Sequence, residues 1–187
     1  YVALTGAARA IKEGETKSGD NFSVIESEEG RLTVLLCDGM GSGAGAKRES
    51  AQAGKLVENF LRAGMEPGEA VETVSSALAL RGEDAGGFTT VDLLQIDLFT
   101  GDGELYKLGA APTFVRRDGV VSRITGAALP AGLTDGQGVG PDVTGLELKA
   151  GDVVLLLSDG VADAEEDGWV RDLLAAFEGD SPRDLAR

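Results

Sequence analysis

Apolar positions recur along this chain in two rhythms. In residues 2–37 they come in short stretches broken by Gly14, Gly19 and Gly30, and Phe22-Ser23-Val24 and Leu32-Thr33-Val34-Leu35-Leu36 read as strands, the second buried on both faces. Over residues 47–60 the spacing lengthens to three and four, lining Ala53, Val57, Phe60 and Leu61 along one face of an amphipathic helix. Pro67 suits the first turn of a second helix that carries Ala70, Val71, Val74, Ala77 and Leu78 inward and ends near Gly82. The two helices form a hairpin. After Gly86-Gly87 the strand rhythm returns over residues 90–98, 104–108, 114–116 and 120–124, with turns at Thr100-Gly101-Asp102-Gly103 and Asp118-Gly119, and predicts an antiparallel meander. A glycine-rich loop at 132–140 leads to a strand at 143–148, a turn at 149–152 and a continuous apolar strand at 153–157. A helix is expected around residues 169–177, and Ser181-Pro182 reads as the N-cap and first residue of another. Strands, a helix pair, more strands and then helices predict an α+β sandwich, a single domain over residues 1–187, and not a βαβ alternation.

Composition narrows what such a sandwich does. With 187 residues, 42% hydrophobic and 26% charged, the chain can bury a core without staples. It opens on Tyr1, with no signal segment and no apolar run near the ~20 residues that span a bilayer, and so reads as a soluble fragment of something longer. A net charge of −15 offers no positive field to nucleic-acid phosphate or an anionic membrane surface, which argues against nucleic-acid binding. The single cysteine, Cys37, excludes an internal disulfide and fits a reducing compartment. The absence of histidine removes imidazole bases, His triads and the common zinc sites, leaving carboxylates, hydroxyls, amines or a cofactor.

Three aspartates stand beside glycine at the edges of expected strands, Gly19-Asp20, Asp38-Gly39 and Asp159-Gly160. Asp-Gly is first a turn dipeptide, and Asp102-Gly103, Asp118-Gly119 and Asp135-Gly136 read as turns. Asp38 and Asp159 differ because each ends a buried apolar run, where a carboxylate is costly unless paired or bound to a cation. With no histidine available, that cation is a hard one held by oxygens, Mg²⁺ or Mn²⁺. Two such ions ~3.5 to 4 Å apart can share a water aimed at a phosphorus atom. Spacing alone slightly favours the alternative, that these aspartates cap helices or close turns. The loop from Gly39 to Lys47 also matches a relaxed dinucleotide fingerprint, but Asp38 would repel the pyrophosphate and the following helix leads into another helix, not a parallel strand. A P-loop fails because Ala46 and Arg48 occupy the required Gly and Ser/Thr positions, and a cysteine phosphatase fails because Gly43 stands where its arginine belongs.

Six strings recur in the order of a known family: Ser18-Gly19-Asp20-Asn21, Cys37-Asp38-Gly39-Met40-Gly41-Ser42-Gly43, Phe88-Thr89-Thr90-Val91-Asp92-Leu93, Lys107-Leu108-Gly109-Ala110-Ala111-Pro112-Thr113-Phe114, Leu129-Pro130-Ala131-Gly132 and Leu157-Ser158-Asp159-Gly160-Val161. Together they resemble the PPM/PP2C-type metal-dependent phosphatases, and within them the bacterial branch of stage II sporulation protein E. The resemblance covers essentially the whole chain. It implies a PP2C-like sandwich of two antiparallel β-sheets flanked by helices, and hydrolysis of phosphoserine or phosphothreonine on a protein with two manganese (or magnesium) ions. Carried over residue by residue, it implies that Asp38 bridges both metals, that Asp20 and the carbonyl of Gly39 complete one site, and that Asp159 supports the other, these aspartates being the catalytic set. Met40 stands where animal members carry a histidine, and the bacterial branch commonly lacks that group and the animal members' phosphate-holding arginine, so metal-bound water is the expected proton donor. The family's closing Gly-x-x-Asp-Asp-x-Thr strand would lie beyond Arg187, so the resemblance implies a missing C-terminal strand and a weakened metal site. The alternative is an inactive regulatory module of the same fold. The implied partner is a phosphorylated anti-sigma factor antagonist, and the implied parent is a membrane-anchored bacterial sporulation protein, with this domain cytoplasmic at the forming septum and a candidate for homodimerisation. Because the helical hairpin follows the metal loop, its packing is expected to control whether Asp38 and Asp159 converge.

Overall fold

The structure is a computed structural model. It describes residues 1–11, 18–39, 41, 43–81, 88–133, 140–161, 167–179 and 181–187. The expectations placed on Gly14, Met40, Gly82, Gly86-Gly87, Asp135-Gly136 and most of the 132–140 loop lie outside these residues.

Among the described residues, eight strands form two antiparallel sheets. The first holds β1 (Asp20–Glu26), β2 (Arg31–Asp38), β3 (Val91–Asp97), β4 (Asp102–Leu108) and β7 (Asp142–Glu147), in the spatial order β1-β2-β3-β4-β7. The second holds β5 (Thr113–Arg117), β6 (Val120–Ile124) and β8 (Val153–Leu155), in the order β6-β5-β8. Helices α1 (Gly43–Arg62) and α2 (Pro67–Ala79) pack on the outer face of the first sheet, and α3 (Gly168–Ala176) packs on the outer face of the second, with α4 (Pro182–Leu185) beside it. The sandwich of two antiparallel sheets flanked by helices is therefore as expected. Among the described residues no helix is long and apolar enough to cross a membrane.

Local chemistry explains most boundaries. Pro67 begins α2 where a missing N–H costs nothing, and Ser181 caps α4 by accepting from the amide of Asp184. Asp118 (φ 50°) and Gly119 (φ 78°) make the tight two-residue turn between β5 and β6, both in the left-handed region that such a hairpin demands. Successive strand residues face opposite ways. Leu35, Cys37, Leu93 and Tyr106 thus meet Ala53, Val57, Val71, Val74 and Leu78 of the hairpin, while Leu94 and Leu105 are buried between the sheets. A second cluster joins Phe114 to Val170 and Leu174. The Cys37 thiol lies in the first core, where burial, followed by the charges of Asp92, Glu58 and Asp38, pushes it up to about 12.

Three expectations are corrected. The meander breaks after β4, where residues 109–112 carry the chain to the second sheet and β7 takes the place beside β4. On α2 it is Ser75, not Ala77, that turns inward, and its hydroxyl accepts the amide of Gly132. In β2, Leu32, Leu35 and Cys37 are buried but Val34 and Leu36 only partly, because the smaller sheet covers the inner face incompletely.

Candidate metal centre

Strand pairing delivers the first two acidic residues together. In the β1–β2 ladder Asp20 stands directly opposite Asp38, so both side chains leave the same face of the sheet at the end where β1 starts and β2 stops. That face is the inner one, shared with Phe22, Leu36 and Asp92. The third arrives from the other sheet, because the segment after β8 returns to the same end and places Asp159 in a turn, with Ser158 donating to Asp20 Oδ2 at 3.2 Å.

Asp38 is half-buried and central. Its carboxyl is pushed up to about 8, first by burial, then by its hydrogen bond to Asp20 and the charge there, then by the corresponding contact with Asp159. Among the described residues no lysine or arginine forms an ion pair with any of the three aspartates. The backbone of Asp38 is firmly held: its N–H donates to Thr90 Oγ1 at 3.1 Å, and its carbonyl accepts from Thr89 Oγ1 and the Thr90 amide, each at 2.8 Å. Thr89 is itself fixed by single bridges to Gly39 and Ala131.

Gly39 follows at a point where the first turn of α1 presses on the loop. A Cβ there would fall 2.0 Å from the carbonyl oxygen of Ala46, so any side chain would force the helix away. Gly19 closes the pocket from the opposite strand. A Cβ on it would lie 3.3 Å from the Gly39 carbonyl oxygen and 3.5 Å from Asp38 Oδ1, so its absence keeps open the space those two oxygens share.

The donor set is all oxygen, anionic and without histidine or thiolate, which suits a hard divalent cation. Among the described residues no three acidic or sulfur side chains converge as a ready-made cage. The contacts are pairwise through Asp38, the arrangement expected of an ion such as Mg²⁺ that keeps several waters and takes only one or two carboxylates. The residues present therefore fit such a cation. All four expected site residues, Asp20, Asp38, Gly39 and Asp159, meet at one end of the sandwich.

The sequence of the chain matches the stage II sporulation protein E (SpoIIE) family model over residues 28–187. The chain belongs to the SpoIIE family. It is 33% identical, along its whole length, to stage II sporulation protein E of Priestia megaterium, and spans about a third (32%) of that relative. Against the solved PP2C phosphatase domain of SpoIIE from Bacillus subtilis, which includes a fragment of the regulatory domain, the TM-score is 0.87 at 32% identity, covering 98% of this chain and 54% of that one. RsbX, solved in complex with magnesium, shares the fold at a TM-score of 0.72 and 20% identity, with 94% of this chain and 80% of that one covered. This SpoIIE-family chain is thus a homologue of the PP2C serine/threonine phosphatases.

Some groups around the site carry no sequence expectation of their own. Ser18, Ser158, Thr89 and Thr90 stand inside recognised strings, yet their hydrogen bonds to Asp20 and Asp38 emerge only in three dimensions. A second polar cluster lies between the sheets. Lys107 Nζ is 2.8 Å from both Asp92 Oδ2 and Thr113 Oγ1, and the Thr113 hydroxyl donates to the same Asp92 oxygen at 2.8 Å. Asp92 and Lys107 are directly opposite in the β3–β4 ladder and almost wholly buried. Burial pushes the Asp92 carboxyl up and the Lys107 ammonium down, and their mutual attraction opposes both shifts. Asp92 Oδ1 finds no hydrogen-bond partner among the described residues. The trace of this pair in the sequence is a charge inside each of two apolar runs, Val91-Asp92-Leu93-Leu94 and Leu105-Tyr106-Lys107-Leu108.

Proposed function

We propose that this chain hydrolyses phosphoserine or phosphothreonine on a protein, using manganese or magnesium held by Asp20, Asp38, Asp159 and the carbonyl of Gly39. The observation that carries this is the approach of two carboxylates, Asp20 from the neighbouring strand and Asp159 from the other sheet, to the half-buried Asp38, with no ion-pair partner among the described residues. Family membership supports the reaction class, and the magnesium bound to RsbX supports the class of ion. When bound, divalent ions there supply charge neutralisation for phosphoryl oxygens and acidify water for attack at phosphorus. The chain's own contribution is positional. Asp38 lies between the other two carboxylates and would be held in common by two ions, with Asp20 and the Gly39 carbonyl holding one and Asp159 the other. Thr89 and Thr90 hold the Asp38 backbone, so that the carboxylate is presented without reorganisation. The proposed substrate is a serine-phosphorylated anti-sigma factor antagonist in sporulation control, and the proposed setting is the cytoplasmic side of a membrane-anchored parent, supported by the similarity to stage II sporulation protein E.

The lack of a group of three metal-binding side chains among the described residues favours, as second reading, a module that engages a phosphoprotein without turning it over. Manganese-dependent phosphate release from a phosphoserine protein, with Asp38→Asn as control, decides between them. Release that needs both the ion and Asp38 supports the phosphatase. Manganese or magnesium that neither binds nor promotes release leaves the interaction module.

A further inference from the structure

Among the three aspartates of the site, Asp20 is the one on which two hydroxyls converge at a single oxygen. The Ser18 hydroxyl accepts the Asp20 amide N–H at 3.2 Å and donates to Asp20 Oδ2 at 3.0 Å, so the backbone contact itself turns the hydroxyl proton toward the carboxylate. Ser158 donates to the same Oδ2 at 3.2 Å from a segment 138 residues away in sequence. Both hydroxyls converge on one oxygen, and two donors occupy its two in-plane lone pairs. Oδ1 receives neither bond.

We infer that Ser18 and Ser158 are positioning residues that hold Asp20 by Oδ2 and present Oδ1 to a divalent cation, and that Ser158 ties the placement of Asp159 to that of Asp20. The inference rests on the metal reading given above and deepens it. Ser158 immediately precedes Asp159, and Asp20 opens an edge strand of the other sheet. One hydroxyl therefore spans the two sheets at the point where their carboxylates approach Asp38. Without it, Asp20 can rotate about its terminal torsion and the turn at residues 159–161 loses its tie to β1. Each serine acts through a carboxylate, as outer ligands of metal sites commonly do.

The test is manganese binding, read by the loss of the free Mn²⁺ electron paramagnetic resonance signal, on the unsubstituted chain and on Ser158→Ala, Ser18→Ala and Ser158→Thr. Loss of an outer-shell partner typically costs 10- to 100-fold in metal affinity, and about that weakening is expected for Ser158→Ala, with Ser18→Ala similar and Ser158→Thr restored to within about threefold because the hydroxyl is kept. Thermal unfolding without metal should move little in any of the variants. Unchanged affinity in both alanine variants, or an equal loss in Ser158→Thr, overturns the inference while leaving the metal site itself in place. No manganese binding by the unsubstituted chain overturns both the site and the inference.

Discussion

Asp92 and Asp38 leave the same face of the same sheet from adjacent strands, and their surroundings are opposite. Asp92 is almost wholly buried, but Lys107 and Thr113 reach it at 2.8 Å, so the chain brings its own cation. Asp38 is only half-buried, and its nearest titratable neighbours are two more carboxylates, which raise its affinity for a proton where Lys107 lowers that of Asp92. The first arrangement closes the space between the sheets; the second leaves a negative charge to be matched from outside. A carboxylate in a β-sandwich thus becomes a structural tie or a cation site according to what faces it across the sheets, not according to how deeply it sits.

The largest effect should come from spoiling the tie. Lys107→Met leaves Asp92 buried without a counter-charge, and urea unfolding should show a loss of about 3–5 kcal/mol. The double variant Asp92→Leu/Lys107→Met should recover most of it, since apolar replacement of a complete buried pair is often neutral. Next, Asp38→Asn keeps the shape but removes the charge, and manganese-dependent phosphate release should fall at least about 100-fold, while metal-free stability holds or rises because the carboxylate repulsion is gone. A pH series sharpens the contrast further. The folded-state pKa of Asp38 is raised from 3.8 to about 8, so between these values the folded chain holds a proton that the unfolded chain has lost. Its contribution to metal-free stability is therefore fully present below pH 4 and declines as pH rises to about 8. The difference in melting temperature between the unsubstituted chain and Asp38→Asn, followed from pH 4 to 8.5, should show that decline, and manganese affinity should rise over the same window. The smallest effect is expected from Thr90→Val, which takes away the acceptor for the Asp38 amide. About 1 kcal/mol of stability should go, checked by urea unfolding, with a modest loss of manganese affinity.

Much of this architecture was legible in the sequence because local chemistry and tertiary packing agree there. Pro67, Ser181-Pro182 and Asp118-Gly119 each demand one backbone geometry, and each finds it. The departure of β5 to the second sheet was not legible, because residues 109–112 make a short connection that suits a hairpin as well as a change of sheet. Ala77 and Ser75 show the limit of counting apolar positions on a helix: the inward face is set by what lies beneath, and a serine with an amide to accept outranks an alanine with none. At the site, Asp38 and Asp159 could be singled out as costly carboxylates that end apolar runs, but the register that sets Asp20 opposite Asp38 appears only once β1 and β2 pair, and the crossing of Ser158 to Asp20 joins segments 138 residues apart. The burial of Lys107 had little signal in the sequence, because a lysine in a strand normally faces water; only the opposite strand reveals its partner.

The lone cysteine also supplies a clock. Cys37 is fully buried beneath α1, where a methyl added at Gly54 would sit 3.7 Å from Sγ, and its thiolate is suppressed at neutral pH. A soluble thiol reagent reaches it when the helix lifts from β2, so the labelling rate tracks the population of the opened state, with no second cysteine to blur the signal. Cys37 adjoins Asp38, and the helix that covers it begins where Ala46 presses on Gly39, so the alkylation rate times the breathing of the metal loop by mass spectrometry, without isotope or fluorophore.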